Sequence, residues 1–437
     1  PRACGYAGKQ LTKYPLIFDF EFGSKEFWSW WRDDLMHRSE QIAQVKVLLA
    51  RLDSGLNVDA GGVRLNPTDS YTDPQVAQQE RRLFFQTHPQ VLGLSGDLPG
   101  PGSFITIDDL DTRILATRDK NGEFHGFVNA CRHRGVAVEE RESGQTRRFV
   151  CPFHGWSYDP RGALVALPKE DHFGSIDKEC FSLIELPAEE KYGFLFVNPD
   201  PAGTLDVDAL LGPELSDELD AWGFGSLVRL GGDRYEVECN WKLALDTFGE
   251  TYHFNSLHKD SLAAFFEGNV QCYDAFGQHH RMILCRKSIH EMRKLPEEQW
   301  DITIAGLPVY WLFPNTILLP TDIGMYVVRV YPDLNSPGRH ASMITFYTHP
   351  NDSLDGAASQ RRDQIQSAPA EALKEIARGF AEIIRDEDYV ASASQQRSAA
   401  SGALPHVVFG RNEPALHHYH NTYRAALGED PLPLLEV

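Results

Sequence analysis

Hydrophobic and polar positions change texture twice along the chain. Short apolar runs separated by turn residues dominate the middle of the first half: Ser103–Ile107, Arg113–Arg118 and Phe124–Asn129, with Lys120-Asn121-Gly122 as a tight turn between the last two. Asp159-Pro160-Arg161-Gly162 marks another turn and Gly193–Asn198 another strand. Residues 74–88 read as a helix started by Ser70 or Asp73. These elements predict a small antiparallel β domain over residues 70–200. From Glu214 the runs lengthen, with strands at Arg234–Cys239, Arg281–Lys287, Thr316–Leu319, Met325–Tyr331 and His340–Tyr347. Helices are predicted at Trp241–Asn255 and Pro369–Arg385. The second places Leu373, Ile376, Ala377, Phe380 and Ile384 on one face. Strands in series with helices at the ends read as α+β, over residues 201–437. Residues 1–69 read as a helical extension, with Phe27, Trp28, Trp30 and Trp31 in one short helix and Ile42, Val45, Val47, Leu48 and Leu49 in a second.

Composition narrows the function. The chain has 437 residues, and its 42% hydrophobic content is ample for packed cores. Its 42 basic against 62 acidic residues give a net charge of −20. That excludes a broad nucleic-acid surface and docking on anionic lipid, both of which select basic faces. No apolar run reaches the ~18 residues of a membrane span. Seven scattered cysteines do not form a disulfide framework. The opening residues lack a secretory pattern, so a reducing cytoplasm is the expected compartment.

Two constellations carry chemistry. The first is Cys131-Arg132-His133-Arg134-Gly135 with Cys151-Pro152-Phe153-His154-Gly155-Trp156. Each half offers one thiolate and one imidazole, next to residues suited to sharp loops. A Cys2His2 zinc site is one reading, but zinc fingers keep like ligands together. Mixed loops suit a two-iron cluster in which two cysteines hold one iron and two histidines the other. The second constellation is Glu250, His253 and His258. A non-heme Fe(II) site takes two histidines and one carboxylate and keeps positions open. Five residues apart, the two rings would diverge by roughly 140° on an ideal helix. Either a π-type turn loosens the helix or His258 lies past its end. Glu250, three residues before His253, shares its face.

Cys-x-His, seventeen residues, then Cys-x2-His resembles the Rieske [2Fe–2S] motif, and Asn240-Trp241-Lys242 followed by Glu250-x2-His253-x4-His258 resembles the iron motif of the Rieske non-heme iron oxygenases. The resemblance covers residues 70–437. It implies a small antiparallel β Rieske domain and a larger helix-grip (START-like) α+β domain with mononuclear iron. Cys131, His133, Cys151 and His154 would hold the cluster; His253 and His258 would hold the iron. The third iron ligand would come from Asp386-Glu387-Asp388, with Asp388 preferred. Glu250 would link His253 to His154 of a neighbouring subunit in a head-to-tail homotrimer, alone or with a small beta subunit.

By the same resemblance, the chain is the terminal oxygenase of a multicomponent system. It would use O2 and electrons from NAD(P)H to hydroxylate an aromatic or other apolar organic compound. It lacks a dinucleotide fingerprint, since Gly223-Phe224-Gly225 has no third glycine, and it lacks a ferredoxin cysteine run. Electrons would therefore arrive from a flavin reductase, a ferredoxin or both. Phe248, Phe254 and Ile384 are the expected pocket lining, with Phe265, Phe266 and Trp311 as further candidates and His279-His280 as a polar handle. Two departures bear on substrate: Asp246-Thr247 stands where many relatives have Glu-Asn, and Glu250 stands where ring-hydroxylating members commonly have Asp. Glu is similar to what quaternary-ammonium demethylating members carry, so oxidative N- or O-demethylation is the alternative activity. Residues 131–149 also gather Arg132, Arg134, Arg141, Arg147 and Arg148 against Glu139, Glu140 and Glu142, a basic patch on an acidic chain.

Overall fold

The computed structural model describes residues 36–350 and 370–435, so the tryptophans near residue 30 lie outside the described residues. The first β region is built from three small antiparallel sheets. One runs Glu185–Leu186, Phe124–Val128, Ile114–Arg118, Ser103–Ile107 and Ser143–Gln145 in space. A second joins Phe149–Val150, Ser157–Tyr158 and Leu164–Ala166, and a third joins Ala188–Lys191, Phe194–Val197 and Gln90–Leu94. Phe104, Leu115, Phe127, Phe149, Trp156 and Tyr158 pack around Cys131 and Cys151, so the two thiols sit in the domain's own core.

The larger region is a seven-stranded antiparallel sheet. Its spatial order is Val228–Val237, His340–Thr348, Gly324–Pro332, Thr316–Thr321, Gly306–Leu312, His279–Arg286 and Phe266–Phe276. A long helical run from Ala370 to Ala400 lies across it, and Phe380 meets Tyr326 with ring centroids 4.6 Å apart. Ala381, Ile383 and Ile384 join Tyr326, Ile344 and Phe346 in one apolar core. This is the α+β arrangement expected.

Three expectations change in detail. The helix predicted over Trp241–Asn255 ends at Asp246, and turns carry the chain from there to His258. Strands Gly306–Leu312 and Phe266–Phe276 are not evident in the sequence. The first contains Pro308, which removes a ladder donor, and the second is bulged where Asn269 takes φ 64°. The segment ahead of the first β region contributes more than helix. Arg38–Ser54 is helical, but Arg64–Pro67 is a strand paired antiparallel with His406–Phe409.

A buried ion pair ties the regions together at the base of the histidine segment. Lys242 Nζ donates to both carboxylate oxygens of Glu80, at 2.6 and 2.8 Å, and Trp241 Nε1 donates to the same group at 3.1 Å. Both charged side chains are buried, and breaking such a pair typically costs about 3–5 kcal/mol because it strands a charge. The helix leading to Glu250 is thereby pinned to the helix Pro74–Glu80.

Candidate metal centres

The first centre is formed by two loops with the same backbone plan. Cys131 N donates to Val136 O and Gly135 N donates to Cys131 O, both at 2.8 Å. In the second loop Cys151 N donates to Trp156 O at 2.8 Å and Gly155 N to Cys151 O at 2.9 Å. Gly135 and Gly155 both take φ 77°, a left-handed conformation that closes each loop without steric cost. The loops present buried thiols and outward imidazoles, with the His133 and His154 rings 4.6 Å apart. His133 Nδ1 is buried with no hydrogen-bond partner. Burial raises the Cys131 thiol, while the Tyr158 hydroxyl, 3.3 Å from its Sγ, favours the thiolate. Two free thiols on one side, and two imidazoles with an orphaned nitrogen on the other, match the donor set of a [2Fe–2S] group.

The second centre lies where the turns after Asp246 meet the long helical run. His253 Nε2 and His258 Nε2 are 3.2 Å apart, and Asp388 Oδ1 is 3.6 Å from the first and 3.4 Å from the second. A metal about 2 Å from each donor would see neighbouring ligands roughly 3 Å apart. Each ring is held from behind. Glu250 accepts from His253 Nδ1 and also from the backbone N–H groups of Tyr252 and His253. Glu387 Oε2 lies 2.7 Å from His258 Nδ1 and accepts from Ser261 Oγ at 2.7 Å. A neutral imidazole whose Nδ1 proton is directed at a carboxylate presents a bare lone pair at Nε2, the form that binds metal. Two bare lone pairs this close repel unless a cation lies between them, so the donors fit a metal. Burial disfavours the charged His258 imidazole, but Asp388 and Glu387 outweigh it and raise its pKa.

Of the two arrangements expected for the histidines, the second holds, since both lie past the end of the helix at Asp246, and a π turn occurs instead at their carboxylate partner. Ile384–Asp388 form one π turn between two α-helical stretches. It lets consecutive residues flank one imidazole, with Glu387 at Nδ1 of His258 and Asp388 at Nε2. Asp386 turns to Arg385, with hydrogen bonds of 2.7 and 3.0 Å. The role of Glu387 behind His258 was not evident in the sequence, where it stands only as one of three adjacent acids. Ser261 gives no signal at all.

Of the aromatic candidates, Phe254 is buried against the centre, its ring centroid 5.0 Å from His253, 5.2 Å from His258 and 5.5 Å from Phe266. Phe248 is half-buried, as is Phe265, while Ile384 and Trp311 lie in the main core. His279 uses both nitrogens on backbone groups, Leu210 O at 2.9 Å and Phe313 N at 3.0 Å, and burial pushes its pKa down to about 4. His280 is fully buried among Trp311, His418 and Tyr419. Neither histidine is the polar handle expected.

Comparison with known proteins decides what these centres are. Residues 88–182 match the Rieske [2Fe-2S] domain, and residues 224–429 match the ring hydroxylating alpha subunit (catalytic domain). The chain joins a Rieske domain to a ring-hydroxylating alpha catalytic domain. The first centre is therefore a [2Fe–2S] site rather than zinc, and the second domain is of the kind that carries mononuclear iron. The biphenyl 2,3-dioxygenase alpha subunit of Rhodococcus jostii (strain RHA1) is 33% identical over 201 residues, 45% of this chain and 43% of that protein. The glycine betaine monooxygenase oxygenase subunit of Chromohalobacter salexigens is 27% identical over 237 residues, 53% of this chain and 51% of that protein. These sequence matches span about half the length of the curated relatives. The fold extends further. A quaternary ammonium Rieske monooxygenase superposes with TM-score 0.69 at 21% identity, covering 85% of this chain and 97% of the other. Naphthalene 1,2-dioxygenase from Rhodococcus sp. superposes with TM-score 0.63 at 21% identity, covering 90% and 99%.

A carboxylate behind a ligand imidazole fixes its tautomer and aim. Glu387→Gln should weaken iron retention about 10–100-fold on dialysis against chelator, while the Rieske visible spectrum is unchanged. Equal iron retention in variant and parent would remove Glu387 from the site.

Proposed function

We propose that this chain is the terminal oxygenase of a multicomponent cytoplasmic system that hydroxylates an aromatic or other apolar organic substrate with O2. The observation that carries this is the convergence of His253, His258 and Asp388 on one point, with both imidazoles held by carboxylates. Three donors on one face leave other positions open, which is the arrangement that activates O2 at non-heme Fe(II). Cys131, His133, Cys151 and His154 hold the cluster that passes single electrons inward. Phe254 supplies an apolar, water-excluding wall beside the iron ligands, and Phe248 and Ile384 extend it. Glu250 orients His253 and, in a head-to-tail trimer, carries the contact to His154 of the next copy. His154, Phe153 and Tyr252 are exposed in the single chain, as residues that face a neighbouring copy would be.

A second reading is oxidative demethylation, including of quaternary ammonium compounds. It is favoured by glutamate at position 250 and by likeness to the glycine betaine and quaternary ammonium monooxygenases. One experiment separates the two. Holoenzyme with a generic ferredoxin and reductase is given NADH, 18O2 and paired panels of arenes and methylammonium compounds. Labelled ring hydroxyls are the expected product. Formaldehyde without ring products would shift the assignment to demethylation. Absence of both labelled ring product and formaldehyde, with both metals loaded, would overturn the oxygenase reading.

Electron delivery has its own expected result. Arg132, Arg134, Arg147 and Arg148 are exposed, whereas Arg141 is taken by Glu139 at 2.6 Å. Arg147 and Arg148 have no ion pair among the described residues. A basic patch on a chain of charge −20 steers an acidic donor to one face. Stopped-flow reduction of the cluster should slow as salt rises, since screening acts over about 10 Å at 0.1 M. It should slow again in an Arg147→Glu, Arg148→Glu variant. Insensitivity to both would place the donor elsewhere.

A further inference from the structure

The tip of the hairpin formed by Ile114–Arg118 and Phe124–Val128 holds a further group of metal-type donors that belongs to neither iron motif. Asp119 is wholly buried. Its Oδ1 accepts from the N–H groups of Asn121 and Glu123, at 2.8 and 2.9 Å, which fixes the carboxylate in the turn. Its Oδ2 has no hydrogen-bond partner. Facing it at 3.6 Å is His125 Nε2, which is buried and also without a partner. Two orphaned polar atoms pointed at each other across a gap too long for a hydrogen bond are costly to bury. A carboxylate oxygen of Glu123 lies within 4.8 Å of a carboxylate oxygen of Asp119 and of a ring nitrogen of His125, on an exposed side chain that can swing inward.

The geometry points to a divalent-cation site held by Asp119, Glu123 and His125, with zinc the metal that the donor set suits. Two carboxylates and a neutral imidazole balance a +2 charge, and zinc takes nitrogen and oxygen donors at about 2.0–2.2 Å. Donors at that distance around a tetrahedral ion stand roughly 3.3–3.5 Å apart, close to the Asp119–His125 separation. Asp119 is preset by two backbone hydrogen bonds, so little ordering is left to do on binding. One group opposes the ion. Arg161 Nε is 3.8 Å from Asp119 Oδ2, but its side chain is mostly exposed and can turn away. The site sits at the start of Phe124–Val128, the strand that runs directly into the Cys131 loop. A bound ion would therefore clamp the hairpin that supports one half of the cluster.

The test is isothermal titration of holoenzyme, both iron centres loaded, with ZnCl2, in a Cys180→Ser background that removes the one exposed thiol among the described residues. Iron content is measured afterwards to show that zinc has not displaced it. One zinc should bind per chain in the parent. A Glu123→Gln, His125→Ala variant should lose at least tenfold in affinity, while Arg161→Ala should tighten binding by removing the competing charge. The double variant keeps Asp119 and its two turn hydrogen bonds, and an unchanged Rieske spectrum shows that the domain has folded. Absence of zinc uptake by the parent, or the same affinity in the double variant, would overturn the site.

Discussion

His258→Ala should empty the mononuclear iron site and abolish turnover, with the Rieske visible and electron paramagnetic resonance signals intact. The ring is almost wholly buried and touches the site through Nε2, 3.2 Å from His253 Nε2 and 3.4 Å from Asp388 Oδ1. Removing it leaves two donors, and it also strands Glu387 behind an empty space. His253→Ala should behave alike. Among the acids, Asp388→Ala should release iron far more readily than Asp386→Ala, because Asp386 faces Arg385 rather than the histidines. Iron analysis with paired spectra checks both statements. Retention of iron in Asp388→Ala, or its loss in Asp386→Ala, would reassign the carboxylate ligand.

Glu250→Gln should separate the effects differently: with both metal centres loaded under excess Fe(II), turnover should still fall by about 10–100-fold or more. The amide can still accept from the N–H groups of Tyr252 and His253, so the turn persists. It removes the negative charge behind His253 and, in the proposed head-to-tail trimer, behind the imidazole of the next copy. Single-turnover assays with a pre-reduced cluster measure the step directly. A normal rate in the variant would refute a linking role for Glu250. Failure of iron to bind would make Glu250 a support for the site alone.

Much of this arrangement was legible because the cluster loops are local. Cys131 to Val136 and Cys151 to Trp156 each close on themselves with two backbone hydrogen bonds, so a six-residue pattern specifies both the fold and the donors. The iron site is different. Its two histidines lie in turns rather than on a helix, and short spacing could mark the pair without giving their orientation. Its carboxylates come from a distant helix, where only a π turn decides which of Asp386, Glu387 and Asp388 faces which atom. No periodicity in the sequence reports that turn. Strand Gly306–Leu312 was hidden for a related reason. It is buried on both faces, so no alternation of polar and apolar residues marks it.

The pairing of His258 with Glu387 and Asp388 joins points 129 and 130 residues apart. A bound ion there acts as a removable cross-link. Holding a flexible chain closed over roughly 100 residues costs on the order of 4–5 kcal/mol in a simple loop-entropy account. The Glu387 hydrogen bonds and the core packing of Ile384 offset part of that cost, and the metal adds to them. Stripping the iron should therefore be felt less at the histidine turns than along the helix from Ile384 to Ala400. Amide hydrogen exchange there should quicken in the metal-free protein, while the central strands Thr316–Thr321 and Gly324–Pro332 keep their protection.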